Sequence, residues 1–226
     1  MGLILVITSS TEQSAADLAP GQQATAVIAA FTAAGRVPEL RVALADGLAA
    51  GLTVNQVKEI LVQMYAYAGL PRSLNALGAF MALLEQRRTD GIIDTSGDDP
   101  TPLPAGTDIL ELGTANQTQL SGTPVTGPLF DFAPAIDQFL KTHLFGDIFS
   151  RDNLDWQSRE IATVAALATL DGVDSQLRSH LSIALNTGLT DTQLRGLIGV
   201  LYARVGTDQA DRAAKILDEV LAARAA

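Results

Sequence analysis

The chain has 226 residues, 47% of them hydrophobic and 18% charged, enough to bury one substantial core or two small ones. Fifteen Lys and Arg against 25 Asp and Glu leave a net charge of −10, which would repel a phosphate backbone and an anionic bilayer, so neither nucleic acid nor membrane is an expected partner. The absence of cysteine removes disulfides, thiolate metal sites and every thiol-based peroxidase or reductase mechanism.

Residues 1–16 read as an N-terminal arm. Its apolar run from Leu3 to Ile7 is too short to span a bilayer and lacks the basic flank of a secretory signal. Val6 stands where a myristoylation motif needs Ser or Thr. The protein is therefore expected to be soluble and cytoplasmic, with a trimmed secretory signal as the alternative.

Displacing the chain by 137 residues aligns its two ends without a gap. Gly35 falls on Gly172, Leu40-Arg41 on Leu177-Arg178, Gly51-Leu52-Thr53 on Gly188-Leu189-Thr190, Gln56 on Gln193, and Tyr65-Ala66 on Tyr202-Ala203. Glycines and turn residues coincide as well as apolar ones, so the pattern is a tandem duplication rather than a compositional bias. The expected fold is all-α: two helical repeats, 17–88 and 134–226, joined by a long irregular connector over 89–133. The periodicity predicts helices over 18–34, 37–50, 53–67 and 71–87, and over 155–170, 173–187, 190–203 and 207–223. At both Gly-Leu-Thr-x-x-Gln junctions, glycine supplies a left-handed turn, and Thr53 or Thr190 caps the next helix with Gln56 or Gln193 closing the box.

The connector collects prolines and glycines without sustained periodicity, and its Ile109, Leu110, Leu112, Leu129, Phe130 and Phe132 lay it against the surface of the fold. A helix leads into the second repeat with Ile136, Phe139, Leu140, His143, Leu144 and Ile148 along one side. His143 and Asp147 are neighbours on it at i and i+4, either an oriented imidazole or a solvated surface pair. The other histidine, His180, shares an apolar stripe with Leu177, Leu181 and Ala184, twenty residues after Glu160. A histidine so placed is either a locally satisfied core residue or a general acid or base. Two histidines and no cysteine offer no spaced metal-ligand set, and no glycine-rich phosphate loop or dinucleotide fingerprint occurs, so a reaction here is expected to need no cofactor.

The segments THLFGDIFSRDNLDWQSRE, QLRSHLSIALNTGLT and QMYAYAGLPRSLNA resemble the carboxymuconolactone decarboxylase family, the all-helical group that also contains the AhpD-like alkylhydroperoxidases. The peroxidases of that group use a Cys-x-x-Cys pair before the histidine, and aligned on His180 those positions are Val173 and Gln176, so peroxidase chemistry by that route is excluded. The first repeat has Ala43 and Gln23 where the second has His180 and Glu160, while Pro71, Arg72 and Asn75 correspond to Asp208, Gln209 and Arg212. Each half keeps what the other lacks. The resemblance thus implies one composite site, with His180 and secondarily His143 as general acid or base, Glu160 orienting His180 or acting as the base, Arg72 gripping a carboxylate, and Tyr67 and Asn75 bonding a carbonyl oxygen. A helix-surface ion pair for Arg72, and packing and turn formation for Tyr67 and Asn75, are the alternatives. The implied activity is a cofactor-independent lyase or isomerase acting on a small carboxylate or lactone by proton transfer or decarboxylation; the rival is a binding or assembly protein whose site has decayed. Relatives assemble as rings of such units, so a homotrimer reproducing a six-unit ring is the expectation for the assembly.

Overall fold

The computed structural model describes residues 18–225, over which the chain is helical and, among the described residues, without strands. The first repeat comprises α1 (Pro20–Ala34), α2 (Val37–Ala49), α3 (Val54–Gln63), the single turn α4 (Tyr65–Ala68) and α5 (Leu70–Thr89). The connector carries α6 (Ile109–Ser121) and α7 (Pro128–Phe132), and α8 (Pro134–Phe139) runs into a π-helical segment over Leu140–Ile148. The second repeat comprises α9 (Trp156–Thr169), α10 (Asp174–Asn186), α11 (Asp191–Arg204) and α12 (Thr207–Ala225). The expected arm over 1–16 lies outside the described residues.

The duplication is visible element by element: α2 and α10, and the starts of α3 and α11 and of α5 and α12, superpose in sequence at the predicted displacement. At the centre α1 packs on α9. Both helices are rich in alanine, and Thr25 to Ala33 and Ser158 to Ala168 are buried without interruption, α1 as a largely apolar helix and α9 with Arg159, Glu160 and Thr163 inside its buried run. Both predicted capping boxes form. The Thr53 hydroxyl accepts from the Gln56 backbone N–H at 3.2 Å while the Gln56 side-chain oxygen accepts from the Thr53 N–H at 3.0 Å, and Thr190 and Gln193 do the same at 3.1 and 2.9 Å. Gly51 and Gly188 precede them at φ of 95° and 97°, where a side chain would be strained.

The two repeats interlock. From the first, α3 and α4 lie against α9; from the second, α11 lies against α1. Two pseudo-equivalent seams result. The helix expected over 53–67 breaks after Gln63, so that α4 stands alone between Met64 and Gly69, the latter at φ 87°.

Two further expectations are refined. The connector is mostly irregular, as expected, but it does not lack helices of its own. Asp108 caps α6 by accepting from the Glu111 N–H at 3.0 Å, left-handed Gly122 ends it, and the strand-like stretch before it is pinned where the Val54 and Asn55 N–H groups donate to Thr95 and Ser96 carbonyls, both at 2.9 Å. The leading helix does not present the predicted stripe. Its passage from α to π pitch turns Leu144, Phe145, Ile148 and Phe149 inward, while Ile136 and Phe139 remain exposed. Gly113 of α6 crosses this segment so closely that a Cβ there would stand 1.7 Å from the Lys141 carbonyl oxygen. A small second core results, built from Leu120, Leu144, Phe145, Ile148, Phe149 and Ile183, with Tyr65 and Tyr67 packed on it.

Candidate active site

His180 faces Glu160 because α10 returns antiparallel along α9 after the Gly172 turn, and each residue sits on the buried side of its helix. The His180 Nδ1 lies 2.8 Å from the Glu160 Oε2, with the carboxylate wholly buried and the imidazole 10% exposed. With Nδ1–H donating to the carboxylate, Nε2 holds the free lone pair, and it makes no hydrogen bond to a described residue. Tyr67, carried by α4 of the other repeat, meets the imidazole edge to face with ring centroids 5.5 Å apart at 82°.

Two atoms at this junction are buried and make no hydrogen bond to a described residue: the Tyr67 hydroxyl and the Glu160 Oε1. The nearby Thr163 hydroxyl gives its one proton to the Arg159 carbonyl and accepts from Gln63, both at 2.9 Å, so it has no hydrogen to offer Tyr67. Buried polar groups are almost always paired, because leaving one unpaired costs roughly 1–3 kcal/mol. A donor and an acceptor left open beside an imidazole suit a polar ligand. Burial, reinforced by the charge of Glu160, pushes the Tyr67 phenol far above its ordinary value, so it stays protonated and is a donor at any physiological pH.

Behind the dyad, a buried polar network that the sequence analysis did not single out closes the seam. Arg159, fully buried, donates to the Gln63 Oε1 at 3.0 Å, the Glu59 Oε2 at 3.2 Å and the Arg151 carbonyl at 2.8 Å. Arg151 holds Glu59 in a two-pronged grip at 2.8 and 2.7 Å. Burial raises the Glu59 carboxyl, but the hydrogen bonds and charge of Arg151 together with Arg159 outweigh it and hold the group below its ordinary value. The available signal was Glu59 and Gln63 at i and i+4 on the face of α3 that also carries Ile60; their counterparts across the duplication are Gly196 and Val200.

The pseudo-equivalent seam shows what that loss does. Between α1, α2 and α11 lies an open cleft of about 850 Å³, lined among others by Gln23, Ala43, Gly196, Val200 and Arg204, the counterparts of Glu160, His180, Glu59, Gln63 and Tyr67. One seam is filled by polar side chains and the other is hollow.

The remaining sequence candidates lie apart from the dyad. His143 pairs with Asp147 at 2.7 Å, about half exposed, and its ring tilts against Tyr65 at 5.5 Å. Arg72 and Asn75 are exposed on the first turns of α5; the Arg72 guanidinium lies over Gly35, and neither makes a hydrogen bond or ion pair with another described residue. The structure therefore brings together His180, Glu160 and Tyr67, and no described contact ties His143, Arg72 or Asn75 to them. Among the described residues no three His, Asp or Glu side chains form a metal-binding group.

Comparison with known proteins matches residues 11–82 and 134–219 to the model of the carboxymuconolactone decarboxylase family. The 4-carboxymuconolactone decarboxylase of Acinetobacter baylyi is 30% identical over 92 residues, spanning 41% of this chain and 68% of that relative.

Proposed function

Because the chain belongs to the carboxymuconolactone decarboxylase family, we propose that it is a cofactor-independent lyase or isomerase that moves a proton next to the carbonyl of a small carboxylate or lactone, with or without loss of CO₂. The observation that carries this reading is the buried Glu160–His180 hydrogen bond beside the unpartnered Tyr67 hydroxyl. In it, Glu160 fixes the imidazole tautomer, the His180 Nε2 takes or returns the proton at carbon, and Tyr67 donates to the oxygen that becomes enolate-like. In a decarboxylation the carbon–carbon bond to the carboxylate breaks, its electron pair enters the conjugated system, CO₂ leaves, and the His180 imidazolium delivers the proton to carbon. Arg72 as the carboxylate grip rests on the family resemblance alone, since the isolated chain leaves it on the surface of α5.

The test is turnover and thermal shift against a panel of small carboxylic acids, keto acids and carboxylated lactones, with His180→Ala, His143→Ala and Arg72→Ala beside the parent. General acid–base catalysis contributes about 10²- to 10⁴-fold, so His180→Ala should lose that much turnover at an unchanged fold while His143→Ala keeps it. A ligand at a hundredfold its Kd adds about 2.7 kcal/mol to stability, which a melting curve reads easily. Full turnover in His180→Ala would refute the assignment, and an inert parent across the panel would favour the decayed-site reading.

A further inference from the structure

Along one side of α5 run Leu70, Leu74, Leu77, Met81 and Leu84, spaced alternately by four and three residues, which is the heptad spacing of a coiled-coil seam, with Leu77 and Leu84 half-buried at the edge of the main core. Among the described residues the stripe is only partly covered: Leu70, Leu74 and Met81 are 57%, 61% and 71% exposed, although burying such residues is the main favourable term in folding and association. The stripe is peculiar to the first repeat. Its counterparts on α12 are Thr207, Asp211, Ala214, Asp218 and Leu221, so the repeat fold does not itself require an apolar face there.

From this face we propose that α5 packs antiparallel against the α5 of a second copy, about a two-fold axis at Leu77. Three features select that occupant. A heptad stripe is complementary to itself, as a two-fold contact demands. The charges bordering it, Lys58 and the paired Glu85 and Arg88, are gathered at its C-terminal end, so parallel pairing would set Arg88 and Lys58 against their own copies, while antiparallel pairing sets them beside Leu70, Pro71 and Ser73, with Arg72 on the opposite side of the helix. A hollow of about 470 Å³ between α3 and α5, bounded by Leu77, Phe80, Met81 and Leu84, lies opposite Leu74 of the second copy in that register and receives it. Gly78, with open space where a Cβ would stand, lets the two helices approach closely. This contact is distinct from the head-to-tail surfaces a ring of three would need, and it stands whether or not the site is catalytic.

Light scattering and sedimentation of the full chain at micromolar concentration should give two chains or an even multiple, and Leu74→Glu combined with Met81→Glu should halve that mass at an unchanged circular dichroism spectrum. The chain lacks cysteine, so Leu77→Cys provides a second readout. On oxidation it should cross-link to a covalent dimer, whereas Ala214→Cys, the counterpart position on α12, should not. A monomeric parent, an odd assembly indifferent to the glutamates, or the absence of the Leu77→Cys cross-link would overturn the proposal.

Discussion

Tyr67 shows how a single residue can be costly to the fold and suited to chemistry. Its hydroxyl is buried with no partner, and an unsatisfied group of this kind costs roughly 1–3 kcal/mol. Tyr67→Phe removes that cost and keeps the ring against His180, so the variant should be as stable as the parent or more so, by about 1 kcal/mol, with its melting temperature unmoved or raised. Turnover should fall about 100-fold, as for loss of one donor to a developing oxyanion. A variant that loses stability while keeping its activity would make Tyr67 a packing residue. The His180–Glu160 pair was legible in the sequence because only two histidines compete for the role and one repeat carries the pair while the other carries Ala43 and Gln23. The burial of Arg159 was not legible. Its partners Glu59 and Gln63 come from the other repeat, about a hundred positions away, and no local pattern predicts that a charge will be paired across such a distance.

At the scale of elements, what local chemistry dictates was readable and what packing dictates was not. The capping boxes at Thr53 and Thr190 follow from residues three apart, and both form. By contrast α6, ILELGTANQTQLS, has Gly, two Thr and Asn, poor helix formers, in its middle, and it persists because it lies on the π segment. There the Asn116 side chain donates to the Phe145 carbonyl at 2.9 Å and to the Ser150 hydroxyl at 3.1 Å, and Gly113 lets the two backbones touch. The π pitch likewise comes from this crossing, since the sequence of the segment fits an ordinary α-helix. Gly113→Ala tests the point. On intrinsic propensity it should stabilise α6 by up to about 1 kcal/mol, but the methyl group would overlap the Lys141 carbonyl, and overpacking of this kind costs typically 1–3 kcal/mol. The expected result is faster amide hydrogen exchange confined to α6 and 140–148, with α1 and α9 unchanged. Slower exchange in α6 would mean that propensity outweighs the contact.

Across the whole molecule, duplication has produced two seams of the same geometry and opposite content. In one, Glu59, Gln63, Arg151 and Arg159 fasten α3 to α9 behind the His180–Glu160 pair; in the other, Gly196 and Val200 leave the cleft beside Ala43. The fastened seam makes the joint between repeats depend on acid. Glu59 is held below its ordinary carboxyl value in the folded chain by the two arginines, against its burial, so the unfolded chain binds its proton more readily. Its contribution is therefore fully present above about pH 4.5, the ordinary value, and is lost as pH falls through the lowered folded value. Glu59→Gln removes the charge while keeping the shape. Near neutral pH it leaves Arg159 buried without its counter-charge, and breaking a buried pair in this way costs about 3–5 kcal/mol. Below about pH 4.5 the unfolded chain takes up the proton first, and as pH falls on through the lowered folded value the parent carboxyl is protonated too, so the difference should shrink. Urea unfolding of parent and variant at about pH 7 and about pH 3 measures both gaps. A gap that is large at neutrality and narrow in acid places the charge of Glu59, rather than its volume, at the joint between the repeats. A gap of equal size at both would mean that the seam is held by packing alone, and that the hollow opposite it, with Gly196 and Val200 in the corresponding places, forgoes little by lacking such a charge.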